Sequence, residues 1–371
     1  MKPLLDFVVF ADSHLGVYEG SVIDESGLNG RLMDGLKVWD EVFEYASSKR
    51  RKVVVYLGDR FRSCNPKGYV RDLADEKLKR FANNFIFIVV VGNHDYYEKS
   101  SYYHSYGVAH LFDEELQGLK LFDTPAKFGV DGVMFWGLPH GRSMDEFYFG
   151  EEDFDSNFFN VLLFHHDVVG AVYPSGMKVD KGLSAEEFRK FDLVLGGHIH
   201  MPQPIAGCRG GFIGSVQQLK RDDEGFRGYW DCRVSDKSVK VVEVESGAPK
   251  YVEETVELKN GDEWKKFLSE EKLKNRVKGQ YLILKGVGNK SVLKTVDRSS
   301  VERELIDGCG LRFCTFEANT KESYEFKMPE LRESKNKEEE VDIALNKMDL
   351  QGLDKKELRR VGLDICREAS Q

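Results

Sequence analysis

The chain has 371 residues, of which 41% are hydrophobic and 32% charged, with a net charge of −9. That length suits two or three domains with a sizeable core. The acidic balance excludes nucleic-acid binding through bulk charge, although a local basic face stays open. Six scattered cysteines with no CxxC pair point to reduced thiols, not to a disulfide framework or a zinc knuckle. The first residues lack a signal-peptide layout and no segment approaches 18 apolar residues, so a cytoplasmic protein with no membrane span is expected.

Taken in order, Leu4–Ala11 predicts a strand ending at Asp12-Ser13-His14. Leu32, Leu36, Trp39, Phe43 and Ala46 recur at helical spacing. Lys52–Leu57 predicts a buried strand ending at Gly58-Asp59. A helix near Tyr69–Asn83 leads to the apolar run Phe85–Val91, which stops at Gly92-Asn93-His94-Asp95. This β-α-β-α-β order predicts a parallel sheet. Further strands are expected at Val133–Gly137, ending at Leu138-Pro139-His140, and at Asn160–Phe164, ending at His165-His166-Asp167. A helical segment is expected around Ser184–Lys190. Asp192–Leu195 then ends at Gly196-Gly197-His198-Ile199-His200, and Gly211–Ile213 ends at Gly214-Ser215. Tyr229–Val234 and Ser238–Glu245 read as a closing hairpin.

The composition changes around Ser246–Lys250, which places a domain boundary there. Beyond it, strand Val252–Leu258, helix Asp262–Leu273, strand Gln280–Lys285, helix Ser299–Ile306 and strand Gly310–Glu317 predict a small α+β unit. A polar stretch with Pro329 reads as a linker. Two amphipathic helices follow, one carrying Val341, Leu345 and Met348, the other Leu358, Val361 and Ile365. Asp354 and Glu357 resemble a capping box for the second. Helices this short do not bury their apolar stripes alone, so they pack on the body or await a partner.

Five predicted strand ends thus carry metal-type side chains: Asp12 and His14; Asp59; Asn93 and His94; His165; His198 and His200. Parallel or mixed sheets gather strand ends on one edge, where α/β folds place ligands. Carboxylate and imidazole donors without thiolate suit Mn²⁺, Fe²⁺ or Zn²⁺ and disfavour a structural zinc. Glycines at 58, 92, 196 and 197 permit the turns that aim these groups. A single HxH is often a core or surface pair; five blocks in series are hard to explain as packing.

The series Asp12-x-His14, Gly58-Asp59, Gly92-Asn93-His94-Asp95, His165 and Gly197-His198-x-His200 resembles the calcineurin-like metallophosphoesterase superfamily. Gly214-Ser215 and Asp223–Tyr229 resemble the segment closing the nuclease domain of SbcD-type DNA repair nucleases. His165–Leu183, with Gly176-Met177-Lys178, resembles the small nuclease subunit of T-even-like phages. The resemblance spans roughly residues 1–235 and is architectural only over 250–371.

It implies a four-layer α/β/β/α sandwich over 1–248, a DNA-capping α+β domain over 249–319, a linker over 320–337 and a helical ATPase-docking segment over 338–371. It also implies two Mn²⁺ ions, with Mg²⁺, Fe²⁺ or Zn²⁺ as alternatives. Asp12, His14, Asp59 and His200 would hold one ion; Asp59, Asn93, His165 and His198 the other. Such a pair clamps the scissile phosphate and lowers the pKa of a bridging water. His94 would stabilise charge on phosphorus or protonate the leaving oxygen, with Asp95 as its partner. Either His165 or His166 could fill the fourth block; the phage pattern, ungapped through Gly170 and Gly176, favours His165. Arg62 stands where repair nucleases often have a histidine, and is either a phosphate contact or a surface arginine. His104, His110 and His140 belong to no block and read as surface or core residues.

The implied activity is Mn²⁺-dependent DNA cleavage, 3′–5′ exonucleolytic on duplex ends and endonucleolytic on single strands or hairpins. The implied partners are DNA, an SbcC-type coiled-coil ABC ATPase bound through 338–371, and a second copy of the chain, with the helices at Leu32–Ala46 and Tyr69–Asn83 as the expected interface. The setting would be the cytoplasm of a bacterium, or of a host if the chain is phage-encoded. The same chemistry would also serve a phosphodiesterase or phosphatase acting on nucleotides or phosphoproteins, which leaves the tail without a role. A third reading, a non-catalytic scaffold regulating an ATPase, would be expected to lose ligands, and none is missing.

Overall fold

A computed structural model describes residues 2–82, 84–98, 101–104, 118–147, 157–223, 225–236, 238–320, 336–347 and 354–370. His110, Glu224, Met348 and nearly all of the expected linker lie outside these residues.

The chain divides into two compact units, one of residues 1–16 and 35–248, the other of 17–34 and 249–371. In the first unit the strands are β1 (Pro3–Phe10), β2 (Val53–Tyr56), β3 (Ile86–Val90), the short pair β4 (Tyr96–Glu98) and β5 (Ser101–His104), β6 (Leu119–Phe122), β7 (Ala126–Val130), β8 (Val133–Leu138), β9 (Phe159–His165), β10 (Leu193–Gly197), β11 (Gln203–Pro204), β12 (Gly210–Phe212), β13 (Gly228–Ser235) and β14 (Val239–Glu245). Two helices, α1 (Gly30–Ser48) and α2 (Gly68–Ala82), separate the first three strands. One six-stranded sheet runs β14-β13-β1-β2-β3-β6, the other β11-β12-β10-β9-β8-β7. β1, β2, β3 and β6 are mutually parallel, as are β8, β9, β10 and β12.

The two sheets share one core. Phe7, Val9, Val55, Ile88 and Val90 of the first pack with Phe135, Val161, Leu163, Leu193 and Leu195 of the second. Alternate residues face outward, so each central strand is buried on both sides. Phe10 meets Trp39 of α1 at 5.4 Å between ring centroids, and Phe87 meets Phe43 at 5.6 Å. This is the α/β sandwich expected. Over the second sheet the described residues form 3₁₀ turns at Met144–Phe147 and Ala185–Phe188, seated by Phe147 on Trp136 and Phe188 on Phe164. The helix expected at Ser184–Lys190 is that second turn. Ser184 and Glu187 cap it, but seven residues cannot offset the cost of helix nucleation.

The second unit holds a three-stranded parallel sheet of β15 (Tyr251–Leu258), β16 (Tyr281–Gly288) and β17 (Phe313–Thr320). Helices α3 (Lys266–Ser269), α4 (Glu271–Val277), α5 (Lys290–Leu293) and α6 (Arg298–Cys309) lie between the strands in sequence, and α7 (Lys337–Lys347) and α8 (Lys355–Ser370) follow. The single helix expected over Asp262–Leu273 is broken at Glu270, which is extended (φ −89°, ψ 104°). Phe267 before the break and Val277 after it both reach one core. Asp297 caps α6 by accepting from the Ser299 and Ser300 amides, and left-handed Gly310 closes it.

Residues 17–34, expected in the first domain, belong to the second unit. Asp34 is 4% exposed and accepts from Arg312 Nη2 (2.7 Å), Arg312 Nε (3.1 Å) and the Tyr281 hydroxyl (3.0 Å). Arg31 stacks over the Tyr18 and Tyr281 rings. Asp34→Ala would strand the guanidinium and the phenol together. We expect a cost of roughly 3 kcal/mol, at the low end for a buried pair because Arg312 keeps some water contact. Hydrogen-exchange protection across β15–β17 should then fall about 100-fold, while β1–β3 keep theirs.

Candidate metal centre

The donor residues sit at or just past the carboxyl ends of β1, β2, β3, β9 and β10, in the first unit; His165 is the last residue of β9. Their loops are laced together before any ligand is considered. The Asp12 amide donates to the Gly58 carbonyl (3.1 Å) and the His14 amide to the Asp59 carbonyl (3.0 Å). The Asp12 carboxylate accepts the His198 amide with both oxygens at 3.1 Å, joining the two sheets. Of the six non-glycine residues with positive φ among the described residues, four are here: Asp12 (51°), His14 (42°), Asp59 (57°) and His198 (86°). L-residues adopt this region at a cost of about 1–3 kcal/mol each, and such strain gathers where a site requires it.

Two glycines make the close approach possible. A Cβ on Gly92 would stand 2.3 Å from Asp59 Oδ1, and one on Gly197 would stand 2.3 Å from the Leu57 carbonyl. Neither contact is sterically tolerable.

The side chains form two groups that meet at Asp59. Asp12, His14 and His200 offer donor atoms within 4.8 Å of one another, and so do Asp59, His165 and His198. Asn93 Oδ1 joins the second group, 3.1 Å from His165 Nε2 and 2.8 Å from His198 Nδ1. Asp59 Oδ2 lies 3.4 Å from His165 Nε2 and 3.5 Å from His14 Nε2. Two atoms bound to one ion at about 2.1 Å stand roughly 3–4 Å apart, so the spacing and the nitrogen and oxygen donors fit two divalent ions sharing Asp59.

Tautomers are set from behind. His165 Nδ1 lies 2.5 Å from the Leu57 carbonyl, to which it donates, leaving Nε2 to face Asp59 and Asn93. His166 points elsewhere: its Nε2 meets the Pro139 carbonyl at 3.1 Å and its ring stacks on His140. Of the two adjacent histidines, His165 is the one brought to the cluster.

Burial pushes Asp12 above the usual carboxylate range, against the pull of His165 and His200. Burial also holds His14 well below its ordinary value. At Asp59 burial acts upward too, but attraction to His165, His14 and His94 outweighs it and the carboxyl falls well below its usual range. His165 is opposed by burial, yet Asp59, Asp12 and the Leu57 carbonyl raise it to about 9. Carboxylates and imidazoles so arranged favour positive charge at their centre.

His94 donates its amide to Asp59 Oδ1 (2.8 Å), and its Nδ1 lies 2.9 Å from the Arg62 carbonyl. Its ring crosses that of His14 at 4.7 Å, and with His14 and Asp59 it forms a third close group of donors. It is partly exposed, whereas Asp12, His14, Asp59, His165 and His200 are buried. Arg62 contributes its main-chain carbonyl here; the residue itself is exposed.

Asp95 corrects an expectation. It does not partner His94. Its Oδ2 accepts from the amides of Asp59 (2.9 Å) and Gly92 (2.8 Å), and its Oδ1 from the Arg60 amide (3.2 Å). The 3₁₀ turn Asn93–Asp95 swings the carboxylate back beneath the β2 and β3 loops, where it staples them. Burial, then the charge of Asp59, push it up to about 6.

Other residues near the donors went unread in the sequence. Asp167 Oδ1 stands 3.3 Å from His198 Nε2, and Asp223 Oδ2 stands 3.8 Å from His200 Nδ1. His140, expected at the surface or in the core, brings its ring to 5.6 Å from that of His198. Its position at the end of β8 was the available signal.

The family model for calcineurin-like phosphoesterases matches residues 5–202, more than half of the sequence. The chain belongs to the calcineurin-like phosphoesterase family. The match ends two residues past His200, so it takes in every donor named above. Comparison with curated proteins gives no match. Among solved structures, a dimetal phosphatase from Danio rerio is similar at 12% identity and a TM-score of 0.40, over 66% of this chain and 98% of that one. YfcE, a phosphoesterase from E. coli, is similar at 13% identity and a TM-score of 0.31, over 65% of this chain and all of that one. No helix among the described residues is long and apolar enough to cross a membrane.

Proposed function

We propose that this calcineurin-like phosphoesterase is a Mn²⁺-dependent DNA nuclease, the cleaving subunit of an SbcCD-like complex. The observation that carries its chemistry is the pair of donor sets meeting at Asp59, with His94 beside them and partly open to solvent. Two divalent ions held there would neutralise the scissile phosphate and make a water acidic enough to attack it.

The protein's own groups do the rest. Asp59, Asn93 and the histidines fix where the phosphate lies. Phosphodiester hydrolysis breaks one P–O bond, and the departing oxygen needs a proton. The Arg62 carbonyl commits His94 Nδ1 as a donor, which leaves Nε2 to exchange that proton. The Asp59 acceptor on the His94 amide holds the ring's mount in register.

DNA is the favoured substrate because a compact phosphatase has no need of the second unit or the tail. In the tail, α7 and α8 pair through Arg359 and Asp342 (2.6 and 3.0 Å). Val361 and Ile365 of α8 stay 41% and 60% exposed, apolar groups suited to a partner such as the coiled-coil base of an ATPase.

The test is cleavage of end-labelled linear and hairpin DNA by chelator-treated protein resupplied with Mn²⁺, with and without the ATPase, beside a small aryl phosphodiester. Metal-dependent DNA cleavage, with duplex processing stimulated by the partner, is expected. Turnover of the small diester with intact DNA would instead make this a phosphatase or nucleotide phosphodiesterase.

A further inference from the structure

We propose that Asp167 and Tyr173 position His198, tuning metal affinity at the Asn93–His165–His198 set and not at the other. This rests on the two-set reading of the centre. His198 turns Nδ1 toward Asn93 Oδ1, so Nδ1 is the nitrogen that must present a lone pair to an ion. A neutral imidazole does that only if its proton sits on Nε2. That nitrogen is buried and makes no well-aligned hydrogen bond to any described residue. Asp167 Oδ1, a charged acceptor, stands 3.3 Å from it. A carboxylate behind a ligating imidazole fixes the tautomer, orients the ring and raises its basicity.

Asp167 is itself held. The Tyr173 hydroxyl donates to Asp167 Oδ1 at 2.5 Å. Tyr173 sits on a small hydrogen-bonded hairpin: its amide donates to the Met177 carbonyl, the Gly176 amide returns to the Tyr173 carbonyl (both 2.8 Å), and Val172 bridges Lys178. Gly176 takes φ +84°, which the turn requires. The Gln203 side-chain amide clamps Val172 through both its backbone groups, at 2.8 and 2.6 Å. The Leu183 amide ties down the Asp167 carbonyl at 2.9 Å. The Gly176-Met177-Lys178 segment, otherwise without a role in hydrolysis, thus becomes the mount of a phenol–carboxylate–imidazole relay. His200, in the other set, faces Asp223 and has no part in this chain.

The test is Mn²⁺ binding by calorimetry, with electron paramagnetic resonance to detect coupled ions, on the full chain. Wild type should take two ions; fewer would overturn the two-set reading itself. Given two, Asp167→Ala should weaken one binding event about 10–100-fold and leave the other within twofold. Asp167→Asn, which keeps an acceptor oxygen, should recover part of that loss, and Tyr173→Phe should show a smaller loss in the same event. The coupled signal should vanish first in Asp167→Ala as Mn²⁺ is lowered. Two unchanged events in Asp167→Ala, or equal weakening of both in Tyr173→Phe, would overturn the proposal.

Discussion

Asp59→Asn is expected to reduce hydrolysis by roughly 10³-fold or more, equivalent to about 4 kcal/mol of transition-state stabilisation, and to cut metal stoichiometry below two. The substitution is nearly isosteric, so the fold should survive. What it removes is the charge and one acceptor at a side chain that faces a histidine of each donor set. Asp59 Oδ2 faces His165 and His14 at 3.4 and 3.5 Å, and Oδ1 already accepts the His94 amide. An amide there would turn an NH₂ toward one of these neighbours. Calorimetry and turnover measured on the same preparation decide it. Two ions bound, with activity within tenfold of wild type, would mean that Asp59 is not shared.

His94→Ala should lower kcat by about 10²–10⁴-fold, the usual range for a lost general acid, while two ions still bind. Its dependence on the leaving group separates proton donation from structural damage. A nitrophenolate departs without a proton, so an aryl phosphodiester should lose far less than DNA. The same variant tests the third close group, His14–Asp59–His94. If metal affinity falls along with turnover on both substrates, His94 is a ligand and not an acid.

The donors were legible because of where they stand. Buried runs such as Val53–Tyr56 and Phe159–His165 announce central strands, and a polar pair at the end of such a run has no packing use. Five repetitions of that local pattern picked out the side chains that the structure brings together. Asp95 shows the limit. Its neighbour in sequence is His94, but a 3₁₀ turn sends its carboxylate to amides some 35 residues earlier. Asp167 and Tyr173 are polar residues in a loop, and nothing in their spacing ties them to His198. His140 failed to stand out because one histidine at one strand end matches no repeating block.

By itself the sequence marked the buried strands, the donor-type residues at their ends and a change of composition at Ser246–Lys250. These are local properties, set by side-chain periodicity and backbone preference. The tertiary structure alone decided the rest. β13 returns antiparallel beside β1, and residues 17–34 join the second unit through an Asp34–Arg312 pair 278 positions apart. His165 is chosen over His166, and Asp95 becomes a staple. Each of these depends on which groups meet across long stretches of chain. Steric fit, such as the 2.3 Å that forbids a Cβ on Gly92, and satisfaction of buried polar atoms settle those meetings, and neither has a local signature.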